Sequence, residues 1–569
     1  MAPLQTLLAS ALAGLATFGS STAILSTRRH DADPTVQIKN GTYRGVHSAQ
    51  YNQDFFLGIP YAQPPVGNLR FRQAHSLNET WDGVRDAVEY SKECVGYGSD
   101  QWPYEVSEDC LTLNVIRPAG CSEDEKLPVA LWIHGGGFYM GGNPDQRYNT
   151  SFIIQQSVEL GKPIMTVAIN YRLSAWGFLA GDDLLGQGLL NMGLRDQRLA
   201  LHWVQENIAA FGGDPERVTI WGESAGAASV GFQIQAYGGR DDKLFSAAIA
   251  QSGGPIHYGA LRGTQAFQQS YNAVVNATNC TDSFDKVQCL REVPFETLNT
   301  IFNGTLGNSF GPSLDGDFVQ NYGSIQLERG DFVKVPLLIG ANTNEGRGFL
   351  GPIKVNTTQD FRNVIGSGTG AASGADVPSG FKDLLVEAYP NNWTELAIVD
   401  PAETWIGDSR GANFVRAAAY QGDYSFTGPR RGANEMWAKW GIKSYAYRFN
   451  AIATLLNNGI GHFTEVIYVF NNLDAVGYQS VAGTFKGLPE SHKELSTFMA
   501  RSWIGFFTER DPNAWAGRDA GVDAWPVYSL ETPEDFVFDA NVTSHVEPDT
   551  FRKEGIKLIN DNAAGIYHR

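Results

Sequence analysis

The segment Gly222-Glu223-Ser224-Ala225-Gly226 offers the first side chain suited to chemistry. It matches G-x-S-x-G, follows the apolar run Val218-Thr219-Ile220-Trp221 and precedes a small-residue stretch that begins at Ala227. A strand feeding a helix through a sharp turn exposes the serine Oγ, and the helix N-terminus favours developing negative charge. Upstream lies His134-Gly135-Gly136-Gly137-Phe138, directly after the apolar run 129–133. Attack by a serine on an acyl carbonyl builds an oxyanion, which needs preorganised donors. Backbone N–H groups unobstructed by side chains supply them, and Gly136, Gly137 and Ala225 are the expected three. The chemistry this predicts is acyl transfer.

A serine hydroxyl needs a base, and the base an orienting acid. In a strand–turn–helix site of this kind the chain order is Ser, then Asp or Glu, then His. The histidines beyond Ser224 that suit the role by order are His462, His492, His545 and His568. His492 falls at the start of a late amphipathic helix, and the last two lie in a polar tail. His462 follows the glycine turn Gly459-Ile460-Gly461, downstream of an apolar strand at 444–449. Glu345 follows the strand 335–339 within Asn342-Thr343-Asn344-Glu345-Gly346, where it is well placed to hold His462. Asp315, Asp317 and Asp331 are rivals, each better read as a solvated loop charge.

The elements that must position these groups are legible as apolar runs. Residues 129–133, 164–169 and 218–221 read as buried strands. Leu201, Val204 and Ile208 recur at helical spacing between the last two. Strand, helix, strand predicts an α/β fold with a large, mostly parallel sheet covered by helices. Further strands are expected at 247–250, 335–339 and 444–449. A helix is expected on Leu495, Phe498, Met499, Trp503 and Phe506. Residues 366–380 and 423–434 read as loops or insertions.

Composition bounds the rest. The 569 residues carry 43 basic and 61 acidic side chains, a net charge of −18 that disfavours nucleic acid as a partner. Residues 1–23 read as a signal peptide, with 24–569 as a single domain bearing helical insertions. No later apolar stretch is long enough to span a bilayer, so no stable membrane insertion is expected. Five cysteines fit an oxidising compartment. Cys94, Cys110, Cys280 and Cys289 allow three pairings between them, with Cys121 left over. Sequons at Asn40, Asn78, Asn149, Asn276, Asn279, Asn303, Asn356, Asn392 and Asn541 support glycosylation and a secreted, extracellular location. No metal-ligand spacing is present, and neither metal nor organic cofactor is expected. The sequence does not specify an oligomeric state.

These segments together resemble the type-B carboxylesterase family, which contains cholinesterases and fungal lipases. The resemblance runs from about Val36 to Tyr528. It includes Gly58-Ile59-Pro60-Tyr61-Ala62, Ser107-Glu108-Asp109-Cys110-Leu111, Gln251-Ser252-Gly253 and Trp525-Pro526-Val527-Tyr528. It implies the α/β-hydrolase fold, a small-molecule ester substrate and the triad Ser224, Glu345 and His462. It also implies disulfides Cys94–Cys110 and Cys280–Cys289, an ion pair of Arg44 with Glu108, and supporting roles for Ser252 and Glu223. The loop between Cys94 and Cys110 is shorter than the lid loop of the lipases, so soluble esters are expected over interfacial ones. Trp102 and Tyr104 are expected near the entrance. Competing readings are a true lipase on long-chain acylglycerols or sterol esters, a serine peptidase or amidase, and a non-catalytic adhesion protein on the same fold.

Overall fold

The computed structural model describes residues 33–102, 104–304, 306, 309–369, 372–392, 396, 409–451, 459–478 and 484–569. The expected signal peptide lies outside them. The framework is an 11-stranded sheet. Its strands in chain order are β1 (Val46–Ser48), β2 (Gln53–Pro60), β3 (Thr112–Pro118), β4 (Leu127–Ile133), β5 (Met165–Ile169) and β6 (Gly213–Glu223). They continue as β7 (Ala247–Gln251), β8 (Leu337–Asn342), β9 (Ser444–Phe449), β10 (Glu534–Phe538) and β11 (His545–Pro548). Across the sheet the order is β11-β10-β9-β8-β7-β6-β4-β5-β3-β2-β1. From β10 to β5 every neighbouring pair is parallel, and antiparallel strands close both flanks.

The uninterrupted apolar runs have a simple cause. A parallel strand is covered on both faces, so both sets of alternating side chains must be buried. In β4, Val129, Leu131 and Ile133 enter one core cluster, while Ala130 and Trp132 enter the other. The first cluster is covered by α1 (Met192–Asn207) and α2 (Ala225–Gly239), through residues such as Leu201, Val204, Val230 and Ile234. The second takes Met499, Trp503 and Phe506 from α5 (Glu490–Glu509). Between α2 and α5 come α3 (Phe414–Gly422) and α4 (Gly428–Lys439).

Several expectations need correction. Residues 423–434 are not a loop. A π-helical turn, Asp423–Thr427, joins α3 to α4 into one buried helical run. Its polarity is answered internally. Arg430 donates to Asp535 and Asp549, Arg431 to Asp549, and Arg552 to Asp423. Pro429 lacks the N–H that a continuous α-helix requires, and the wide turn before it takes up the break. Residues 366–380 contain the short antiparallel pair Gly368–Thr369 and Ala372–Ser373 and the start of a helix at Ser379. Arg44 pairs with Asp86, not Glu108. Glu108 instead takes Arg70 in a two-pronged pair at 2.6 and 2.7 Å, both side chains nearly enclosed. The disulfides are Cys94–Cys110 and Cys280–Cys289, and Cys121 is free. Seven of the nine sequon asparagines are exposed. Asn40 and Asn149 are buried, with their amides donated to Glu79 O and Gln146 Oε1.

Candidate active site

Ser224 sits between β6 and α2 with φ 58° and ψ −121°, a conformation rare for any residue bearing a side chain. The turn closes because its glycines have no Cβ. A Cβ on Gly226 would lie 2.0 Å from Ile133 O, and one on Gly222 would lie 2.5 Å from the Gly226 carbonyl carbon. The neighbouring strand β4 ends in the glycine loop. Gly136 and Gly137 adopt φ 92° and 62°, and a Cβ on Gly136 would strike Met140 O at 2.1 Å. Among the described residues, neither Gly136 nor Gly137 donates its N–H to a protein acceptor. Ala225 is the first residue of α2, so its N–H has no partner within the helix.

The other groups arrive at the same sheet edge. Ser252 follows β7, Glu345 follows β8 and His462 follows β9, three adjacent parallel strands beside β6. Glu345 is 1% exposed and its carboxylate accepts three hydrogen bonds. Oε1 takes Ser252 Oγ at 2.5 Å and Asn342 N at 2.7 Å, and Oε2 meets His462 Nδ1 at 2.7 Å. The histidine loop is tied to the acid loop through Asn342 Nδ2 to Gly461 O at 2.8 Å and Asn344 N to Ile460 O at 2.9 Å. His462 Nε2 lies 3.2 Å from Glu223 Oε1 and makes no hydrogen bond, with Ser224 Oγ or any other described group. Such bonds are often long before substrate arrives.

Ser224, His462, Glu223, Gly136 and Gly137 line one cavity of about 440 Å³. Tyr139, Tyr148, Tyr258, Phe349, Phe426 and Phe463 give it an aromatic lining, and Asp100 and Arg147 add charged groups. Phe349 and Phe426 lie 5.0 and 4.7 Å from the His462 ring, Phe426 projecting from the π-helical turn. Neither Trp102 nor Tyr104 is part of this lining. Trp102 is 78% exposed, and the Tyr104 hydroxyl accepts from Gln146 N. The residue that the short disulfide loop contributes is Asp100. His492, the rival base, is buried against the Tyr468 hydroxyl, and Asp315 and Asp317 pair with Arg195.

Residues 32–554 match the Carboxylesterase family. The chain belongs to that family. Lipase 2 of Diutina rugosa is 36% identical, the match covering 94% of this chain and 97% of that one. Lipase 1 of Geotrichum candidum is 32% identical over 88% and 91%. The crystal structure of Aspergillus niger EstA superposes with a TM-score of 0.79 at 28% identity, covering 95% of this chain and all of that one. This carboxylesterase thus has the α/β-hydrolase fold and the activity of a carboxylic-ester hydrolase.

Electrostatics in this carboxylesterase centre on one imidazole among three buried carboxyl groups. Burial pushes His462 down, but Glu223, Glu345 and Glu465 outweigh it and raise the imidazole to about 9. Burial pushes Glu223 well above the usual carboxylate range, with Glu465 and Glu345 adding to the effect and His462 opposing it. Glu465, also raised by burial, accepts from Asn342 Nδ2 at 2.6 Å and Gln251 Nε2 at 3.2 Å. Sequence reasoning missed Glu465 and Arg147. Nothing in the spacing of either separates it from a solvated surface charge. The buried His134, held near 4 by desolvation, stacks on Tyr171 and stays neutral beneath the glycine loop.

Proposed function

We propose that this carboxylesterase is a secreted serine hydrolase working through Ser224, His462 and Glu345 and an acyl-enzyme intermediate. The observation that carries the reading is the 2.7 Å contact of His462 Nδ1 with Glu345, in a residue that lines the same cavity as Ser224. His462 takes the Ser224 proton as Oγ attacks the ester carbonyl. The amides of Gly136, Gly137 and Ala225 receive the oxyanion. The imidazolium, stabilised by Glu345, then protonates the leaving alcohol, and water repeats the sequence to release the acid. Ser252 and the Asn342 amide hold the carboxylate in register. Secretion is supported by the apolar segment at 7–18, two disulfides, exposed sequons, and similarity to proteins named as secreted lipases.

Soluble or moderately sized esters are the favoured substrates. The support is the aromatic lining of the cavity, about 440 Å³ in volume, and the short loop between Cys94 and Cys110. A lipase reading draws on the names of the relatives and on the exposed Trp102 near the cavity-lining Asp100. An acyl-chain series assayed below and above substrate solubility separates the two, with a rise in rate at the solubility limit favouring the lipase. Ser224→Ala should abolish ester turnover while the chain stays folded; near wild-type turnover would remove the assignment.

A further inference from the structure

Arg147 lines the catalytic cavity with its guanidinium unevenly occupied. Nε reaches both oxygens of Asp145 at 3.2 and 2.9 Å, and Nη2 reaches Oδ2 at 2.5 Å. Nη2 also lies 3.0 Å from Asp100 Oδ1. Nη1 carries two N–H donors and has no partner among the described residues. The fork is held rigidly, because its plane also lies 5.0 Å from the Phe463 ring and 5.8 Å from Tyr148. The side chain keeps 21% of its surface accessible.

The reaction fixes which part of a substrate would meet this group. The oxyanion must point at Gly136 and Gly137, and the leaving oxygen must collect its proton from His462 Nε2. Glu223 stands beside Nε2, and Phe463, which follows His462 in the chain, carries Arg147. Arg147 lines the same cavity as Ser224 and His462, against the residue that follows the base, where the alcohol part of an ester can reach it. Asp100 and Asp145 outnumber the guanidinium, so an anionic alcohol part is repelled. A plain hydrocarbon would strip water from the Nη1 donors and return nothing. A neutral oxygen acceptor satisfies both conditions.

We propose that Arg147 is a specificity determinant that donates from Nη1 to a hydroxyl or carbonyl oxygen on the alcohol part of the ester, so that esters of polyols are favoured over esters of simple alkanols. The proposal rests on the catalytic reading above. It is tested with two butyrate esters of one shape, the glycerol mono-ester and the ester in which methyl groups replace its two hydroxyls. The wild-type kcat/KM should favour the hydroxylated ester, and Arg147→Met should shrink that preference roughly tenfold, as expected for a charge-assisted hydrogen bond. Arg147→Lys, which keeps the charge but not the fork, should fall between them. It also reads the ratio if the methionine variant fails to fold. An unchanged ratio, or an equal loss on both esters, overturns the proposal and leaves Arg147 as a brace for Asp100. Turnover of both esters surviving in Ser224→Ala would instead defeat the catalytic reading.

Discussion

At the scale of single residues, the proposed mechanism makes the rate depend on one imidazole's proton affinity. A hydroxyl loses its proton only to a neutral base, so kcat/KM should rise with pH through the His462 ionisation. The surrounding carboxylates move that limb above the ordinary histidine value of 6.5, toward 9. Glu465 contributes charge without touching the ring. Glu465→Gln should therefore shift the limb to lower pH while leaving an active enzyme, as read from a pH–kcat/KM profile. An unmoved limb would mean that Glu465 carries no charge in the working enzyme. Ser224, Glu345 and His462 were legible in the sequence because each follows an apolar strand within a local pattern. Glu465 was not, because its importance arises only when distant segments bring Asn342 and Gln251 to it. The Arg44 pairing failed for a related reason. A charge's partner is set by packing, and Arg70 and Asp86 are as polar in sequence as the residues expected.

At the scale of elements, the site is an edge property of the sheet. Four adjacent parallel strands each end by delivering a functional or supporting side chain, and the glycine loop leaves from the next strand over. The turn at Ser224 has no slack. Gly226→Ala would put a Cβ at 2.0 Å from Ile133 O and force the nucleophile aside. Displacement by about 1 Å can cost on the order of 100-fold in rate, so kcat should fall by that order even in soluble, folded protein. Wild-type kcat in that variant would show that the turn tolerates more than the packing indicates. The strands were readable as apolar runs because parallel strands bury both faces. The helical run across residues 423–434 was not readable. Gly, Pro and Arg are surface signals in most chains, and here they serve a π-helical turn and enclosed ion pairs.

At the scale of the whole molecule, those enclosed pairs join the late helices to the edge of the sheet. Arg430 bridges Asp535 and Asp549, and Arg431 and the Tyr528 hydroxyl complete the Asp549 shell. Removing one partner strands buried carboxylates. Arg430→Met should lower unfolding free energy by about 3–5 kcal/mol, measured by urea denaturation. A loss below about 1 kcal/mol would mean that water or neighbouring groups already satisfy the acids. The acidic charge balance belongs to this scale too and was legible in composition, whereas which of the nine sequons are exposed was not, because burial of Asn40 and Asn149 is set by packing.

The catalytic claim comes down to which atom carries the acyl group. Peptide mapping by mass spectrometry after reaction with a fluorophosphonate reads this directly. One adduct per chain is expected, on Ser224, with ester turnover lost in proportion to labelling. An adduct on another residue, or full turnover in labelled protein, would contradict it.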